Sequence, residues 1–382
     1  MLPTNRNADP RYLDEVIQFV EAEMQYDSKR DDLDSDWFQT NWQVCAKQGV
    51  LGANIPKEFG GLGLNVTETI KMLETLGYAF PDDGFTLGIN GQMWAVQEPI
   101  LRFGSEEQKA RFLPGLVNGS CIGAHGMTEE SSGSNAFDLK TTAIKAGDGY
   151  VLNGKKVYIG LGPVADLILV FASTAPGKGR WGISCFVVDS KSAGVNLSEP
   201  QDKMGLRTSP LGEIEFKDVF VESSRLLGRE GVGASIFNAS MEYERSFIFT
   251  SHVGAMGKQL EQTIQFVKER DLGAGSIGKY QSVSNRIADM KIRLETCRLF
   301  LYQAAETIDR GINATTEAAM AKLVISENYV QNSLDAIRIH GGQGYLSEFG
   351  IEQRLRNAVG GIIYSGTSDI QRNLIAGILG IG

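Results

Sequence analysis

Histidine is scarce in this chain. There are three among 382 residues, His125, His252 and His340, at no spacing that gathers a metal ion. Cysteine is nearly as rare. Cys45, Cys121, Cys185 and Cys297 stand far apart with no CxxC pair, which argues against a zinc ribbon or a disulfide framework and predicts reduced core thiols in a cytoplasmic protein. Positive charge is in deficit, with 37 Lys and Arg against 46 Asp and Glu, a net charge of −9. Neutralising nucleic-acid phosphates needs the opposite balance, so nucleic acid is not expected as a main partner. No apolar run reaches membrane-span length, and the opening MLPTNRNADPRYLDEV lacks the apolar stretch of a secretory signal. Internal repeats and low-complexity tracts are absent.

What is there is the composition of a soluble globular enzyme, 42% hydrophobic and 22% charged, in a chain too long for one simple core. Periodicity divides it into three. Residues 1–120 read as helices: DPRYLDEVIQFVEAEM, with Asp9 as N-cap and Pro10 at the first helical position, then WFQTNWQVCAKQG, VTETIKMLETLGYAF and the serine-capped SEEQKARFLPGLVNG. The glycine-rich IPKEFGGLGLN is a loop. Residues 121–227 change to short strands rich in branched and aromatic side chains. GYVLNGKKVYIG reads as a hairpin turning at Asn153-Gly154, followed by DLILVFAST, ISCFVVDS and EIEFKDVFV. Residues 228–382 return to helical spacing, with ASIFNASMEYERSFIFTSHVGAMGKQLEQTIQFVKERD long enough for one extended helix and two long helices after it. The fold class is α+β, a β module between two helical ones, the last a four-helix bundle. Its apolar surface is large for one protomer, which predicts a homo-oligomer.

One string misleads. Gly273 to Gly278, GAGSIG, fits the GxGxxG of dinucleotide-binding folds, but it follows the charged helix end FVKERDL and has no βαβ pattern around it.

The order of the pieces resembles the acyl-CoA dehydrogenase family over nearly the whole chain. Four segments carry the resemblance: RFGSEEQKARFLPGLVNGSCIGAHGMTEESSGSNAFDLKTTA, KMGLRTSPLGEIEFKDVFV, IRIHGGQGYLSEFGIEQRLRNA and IYSGTSDIQR. A narrower resemblance, in QSVSNRIADMKIRLETCRLFLYQAAETIDRG, AKLVISENYVQNSLDAI and the serine of IYSGTSDIQ, is to the prolyl-carrier-protein dehydrogenases and oxidases of natural-product pathways. It implies FAD as cofactor, a prolyl thioester on an acyl or peptidyl carrier protein as substrate, and a homotetramer.

The resemblance also assigns residues. Many family members place a catalytic glutamate where this chain has Ser365; a minority, the isovaleryl and long-chain enzymes among them, place it at Glu244. Glu244 is therefore the expected base, with Arg245 supporting the charge balance. Glu242, rotated by ~200° from Glu244 on a helix, cannot face the same pocket. The residue-level alternative is a solvated Glu244–Arg245 pair. By resemblance, Met127, Thr128, Gly133 and Ser134 lie on the loop that holds the flavin. Tyr158 is the aromatic before a pair that is usually Ile-Thr-Asn or Ile-Ser-Asn. Here Gly160 and Leu161 replace the hydroxyl and amide, removing a donor and leaving space for molecular oxygen, which implies an oxidase; the alternative is that Gly160 merely relaxes a strand end. Arg270, Arg338, Gly341 and Gly342 match positions reaching a neighbouring subunit's flavin, although Gly273 replaces the phenylalanine expected after Arg270 and Arg338 replaces a glutamine. Thr367 and Asp369 match nucleotide-contacting positions. Two other functions fit the same residues: a short- or branched-chain acyl-CoA dehydrogenase passing electrons to an electron-transfer flavoprotein, and an inactive flavin-binding scaffold.

Overall fold

A computed structural model describes residues 10–25, 32–273 and 275–381; the N-cap expected at Asp9 lies outside them. The N-terminal part contains α1 (Pro10–Glu23), α2 (Ser35–Lys47), α3 (Val66–Ala79), α4 (Asp83–Gly91), a π-turn at Gln92–Gln97 that leads into α5 (Glu98–Phe103), and α6 (Glu106–Val117). Local chemistry sets the starts. Asn65 with Glu68 and Ser105 with Gln108 form reciprocal capping boxes, each satisfying two otherwise orphaned N–H groups. The glycine loop before α3 is required sterically, because a Cβ at Gly61 would meet the Ile55 carbonyl oxygen at 2.0 Å. Phe38, Trp42, Phe80 and Phe85 pack edge to face and stacked at the centre of this part.

The middle is one eight-stranded sheet: β1 (Gly123–Gly126), β2 (Thr142–Ala146), β3 (Gly149–Gly160), β4 (Leu167–Ser173), β5 (Ile183–Asp189), β6 (Val195–Leu197), β7 (Leu211–Glu222) and β8 (Leu226–Leu227). The order is β6-β7-β3-β2-β4-β5-β8, with β1 parallel to β4. Strands β4 and β5 are buried on both faces, which explains their unbroken apolar runs. Ile168, Val170 and Phe186 enter the interior of the sheet unit; Leu169, Phe171 and Cys185 pack towards Leu113, Leu116 and Ile236 of the helical parts.

The C-terminal part contains α7 (Gly233–Phe247), α8 (Thr250–Glu269), α9 (Gln281–Asp309), α10 (Thr315–His340), the short α11 (Gly342–Tyr345), α12 (Ile351–Gly361) and α13 (Ser368–Ile378). The α+β architecture predicted from periodicity is observed. A buried carboxylate joins the parts: Asp83 accepts from Tyr329 Oη at 2.7 Å, Arg354 Nη1 at 3.0 Å and Asn357 Nδ2 at 3.0 Å, while adjacent Asp82 accepts from Thr208 Oγ1 at 2.6 Å.

Two sequence expectations change. The long helix from Ala234 is two, α7 and α8, broken at Ile248 and Phe249. Thr250 Oγ1 bonds back to the Phe247 carbonyl at 2.8 Å and the Phe247–Phe249 side chains are all buried, so packing fixes a bend where periodicity alone would continue. The Asn153-Gly154 pair is not a turn. It is a register shift within the continuous strand β3, opposite β7; Asn153 exchanges bonds of 2.9 Å with the backbone and side chain of Asp218, and the Gly154 position lies against Thr141 too closely for a Cβ. The true hairpin turn is at Gly147-Asp148, between the paired Ala146 and Gly149. Asn-Gly signals a positive φ, and here the bulge uses it, with Gly154 at φ 150°. The GAGSIG string lies between α8 and α9, where the Gly273 and Gly275 N–H groups bond to Asp271, and is no dinucleotide cradle. Among the described residues no helix is long and apolar enough to cross a membrane, and no cluster of His, Cys, Asp or Glu could hold a metal. All four cysteines are free thiols.

Candidate active site

Helix α7 carries Glu244 into the middle of the molecule, where the turn between α12 and α13 meets it. Ser365 Oγ donates to Glu244 Oε1 at 2.6 Å. The turn is strained: Ser365 has φ 54° and Gly366 φ 80°, the first costly for a residue with a Cβ. Its supports are visible. Gln371 Nε2 donates to the carbonyls of Ser365 and Gly366 at 3.4 and 3.0 Å. Tyr364 stacks on Phe249 at 5.4 Å, and Lys322 Nζ holds the last carbonyl of α12, at Gly361, at 2.8 Å.

Burial pushes the Glu244 carboxyl above its ordinary value, outweighing the Ser365 hydroxyl and the Arg245 charge, which both favour ionisation. The side chain nevertheless keeps partial solvent access, as a group lining a cleft does. Glu244 and Arg245 form no ion pair with each other or with any other described side chain, and Arg245 Nε is buried without a hydrogen-bond partner beside Gly366. The solvated-pair alternative therefore fails. Glu242 points away, its carboxylate accepting from the Ala314 N–H. Tyr364 Oη, Ser368 Oγ and Gln371 Oε1 are likewise buried and unpartnered around the turn. Such orphaned groups fit a site built to receive a polar ligand.

The loop after β1 is held from below by a buried ion pair. Lys156 Nζ, on β3, bonds Glu129 Oε1 at 2.7 Å and the Met127 carbonyl at 3.0 Å; Glu129 also accepts from the Lys140 and Thr141 N–H groups at 2.6 and 3.0 Å. Burial pushes Lys156 down to about 8, which leaves it protonated at neutral pH. Val157 N–H donates to the Thr128 carbonyl at 3.0 Å, so Met127 and Thr128 are fixed against β3. Met127 packs with Phe237 and Met241 of α7, joining this loop to the helix that bears Glu244. Gly133 and Ser134 are exposed farther along the loop. At the end of β3 the backbone is irregular again: Tyr158 and Leu161 have φ of 58° and 60°, and the Tyr158 ring is 65% exposed. Gly160 has no heavy atom within 4 Å of a Cβ position and no positive φ, so neither sterics nor backbone requires glycine there.

Thr367 caps α13 two residues beyond Ser365, accepting from Ile370 N–H at 3.2 Å, and Asp369 is exposed beside Arg372. The remaining expected residues gather elsewhere. Arg338 lies 16 residues along α10 from Lys322, ~24 Å at helical rise. Gly341 and Gly342 follow it with open space at both Cβ positions. Arg270 ends α8 at the same end of the bundle, where Phe266 stacks on His340 at 4.2 Å. Arg286, Arg293 and Arg338 converge on the single buried carboxylate of Asp335 at 2.8–3.0 Å, leaving excess positive charge that suits a pyrophosphate. The donor set thus fits a flavin dinucleotide at two separate places: the Met127–Thr128 loop, packed against the helix that bears Glu244, with the exposed Tyr158 on the following strand, and guanidinium groups at the far bundle end.

Sequence reading did not single out Gln371, Tyr364 or Lys322. Gln371 was detectable, since it lies one helical turn inside the helix that Thr367 caps. Lys322 comes from a distant element and carries no local signal.

The helix–sheet–helix chain with a carboxylate beside a strained turn matches a family of cofactor-dependent oxidoreductases. Matches to the family cover most of the chain: its N-terminal domain over residues 9–120, its middle domain over 124–219 and its C-terminal domain over 231–380. The chain belongs to the acyl-CoA dehydrogenase family. It is 41% identical over 336 residues, 88% of each chain, to an L-prolyl-[peptidyl-carrier protein] dehydrogenase of Pseudomonas fluorescens. Among solved structures it is similar to the prolyl acyl carrier protein oxidase AnaB (TM-score 0.94, 41% identity, 97% of this chain and 98% of that one). It is also similar to PigA with FAD and proline (TM-score 0.93, 36% identity, 98% and 99%).

Proposed function

We propose that this chain uses FAD to oxidise an L-prolyl group, held as a thioester on an acyl or peptidyl carrier protein, to the dehydroprolyl (pyrroline) thioester, and that molecular oxygen is its electron acceptor. The observation that carries the reaction class is Glu244 itself: a buried carboxylate with a raised pKa, no ion-pair partner, and one hydrogen bond to the serine that replaces the usual glutamate. The substrate rests on the relatives, which are named for prolyl carrier proteins.

The thioester acidifies the α C–H, and Glu244 takes that proton. A carboxylate made more basic by desolvation is a better match to such a weak acid than one in water. Ser365 holds Oε1, leaving Oε2, which has no partner among the described residues, to face the substrate. Arg245 lies close enough to favour the ionised form of Glu244 without neutralising it by direct pairing. A bound FAD would supply the acceptor for the accompanying hydride. Met127, Thr128, Gly133, Ser134, Tyr158, Thr367 and Asp369 would hold it on the side of α7, and Arg270, Arg338, Gly341 and Gly342 would hold the dinucleotide of a neighbouring subunit. Gly160 supports the oxidase assignment, because the space beside it is unneeded by the fold.

A homotetramer agrees with the exposed apolar side chains Leu299, Tyr345, Leu346, Leu379 and Ile381, which are 50–82% exposed on one protomer. Free thiols throughout agree with the cytoplasm.

The test is to mix the FAD-loaded protein anaerobically with L-prolyl-carrier protein, follow flavin absorbance, and then admit air. Bleaching followed by rapid recolouring with peroxide is expected. Bleaching by a short acyl-CoA but not by the prolyl substrate would replace this reading with an acyl-CoA dehydrogenase. Bleaching by neither would leave a scaffold.

A further inference from the structure

We propose that the loop joining β4 to β5, residues 174–182, is the docking surface for the carrier protein, whose surface is acidic. The inference rests on the carrier-bound substrate proposed above.

The loop's charge runs against that of the chain. The protein has a net charge of −9, yet Lys178 and Arg180 stand on this loop and Arg229 beside it, and none of the three forms an ion pair with a described residue. All residues from Pro176 to Trp181 are exposed. Trp181 is 67% exposed, with the Arg180 guanidinium 4.9 Å from its ring centroid. An exposed tryptophan with an adjacent arginine is the composition of a binding hot spot, and unpaired cations around it suit an acidic partner. Glu230, next to Arg229, is engaged by Tyr150 Oη at 2.7 Å.

The loop is also a built structure. Thr174 and Ala175 N–H groups bond the Gly182 carbonyl at 2.8 and 3.2 Å, and Thr174 Oγ1 meets Ser184 Oγ at 2.8 Å. Ser184 Oγ in turn accepts from Gly231 N–H at 2.9 Å, and the Trp181 carbonyl lies 3.0 Å from a Cβ position at Gly231. Gly231 is two residues before the start of α7, and Glu244 lies 11 residues along that helix, ~16 Å. A carrier seated on the loop therefore stands one phosphopantetheine arm from the base. The arm needs such a separation, since it must deliver a buried thioester from a protein that stays outside.

The experiment compares L-prolyl-carrier protein with the prolyl thioester of N-acetylcysteamine as substrates of the FAD-loaded enzyme. For the double variant K178E/R180E and for W181A, KM for the carrier substrate is expected to rise about tenfold with kcat little changed, because the changes act on encounter and docking. Turnover of the small thioester stays at the wild-type level and reports that the variants fold. Added salt raises the wild-type carrier KM and leaves that of K178E/R180E nearly flat. K191E, an exposed cation elsewhere on the sheet unit, changes neither substrate. A carrier KM within twofold of wild type in K178E/R180E and W181A overturns the docking surface alone. Failure of the wild type to oxidise either prolyl thioester overturns the functional reading and the docking with it.

Discussion

Two carboxylates, Glu129 beneath the loop after β1 and Glu244 on α7, are handled in opposite ways. Glu129 is saturated: a lysine at 2.7 Å and two backbone N–H groups hold it ionised, below the ordinary carboxylate range despite its burial. Glu244 has one serine hydroxyl, an arginine next in sequence that does not pair with it, and a pKa that burial drives upward. The first arrangement locks a loop; the second leaves a base free to gain and lose a proton. Whether donors offset the desolvation separates a structural carboxylate from a reactive one.

The comparison can be broken at several points. The largest effect belongs to E244Q, which keeps shape and hydrogen bonding but cannot take a proton. Flavin reduction by the prolyl substrate should fall roughly 10³-fold, with little change in thermal stability, as read by anaerobic stopped-flow absorbance and melting. K156M should do the reverse. It leaves Glu129 as an uncompensated buried charge, and chemical denaturation should record a loss of about 3–5 kcal/mol; flavin retention should fall with it, because the Met127–Thr128 loop loses its anchor. G160T introduces a side chain into open space. Reoxidation by oxygen should slow several-fold, as read by recolouring in air, while anaerobic reduction is unchanged. The smallest effect sharpens the contrast. S365A removes the hydrogen bond that favours ionised Glu244, so its pKa rises further. Since the base must be deprotonated, activity climbs with pH through that pKa, and the acid limb of kcat/KM should move to higher pH in S365A with the high-pH plateau near wild type. A limb that moves to lower pH would mean that Ser365 does not stabilise the charged form.

Legibility from sequence followed the range of the interactions. The helix capped at Ser105 was readable because the cap lies three residues from its partner Gln108, whereas Asn65, which forms the same box with Glu68, was read only as the end of the glycine-rich loop. The doubly buried β4 and β5 were readable as strands from their branched and aromatic runs, although not as strands shared by two cores. Asn153-Gly154 misled because the same dipeptide serves a turn and a bulge, and only the pairing of β3 with β7 decides between them. The break between α7 and α8 was hidden because apolar spacing continues through Phe247 to Phe249; tertiary packing, absent from any local pattern, bends the chain there.

Composition, periodicity and motif order determined the three-part α+β architecture, the family and the identity of the base candidate, since each is written in residues close together or in fixed sequence. The tertiary structure alone decided that Ser365 bonds Glu244 across 121 residues, that Lys156 neutralises Glu129, and that Arg270 and Arg338 stand at the far end of the bundle from the base. These are pairings between distant segments. Their energies depend on desolvation and separation, and both quantities exist only once the chain has folded.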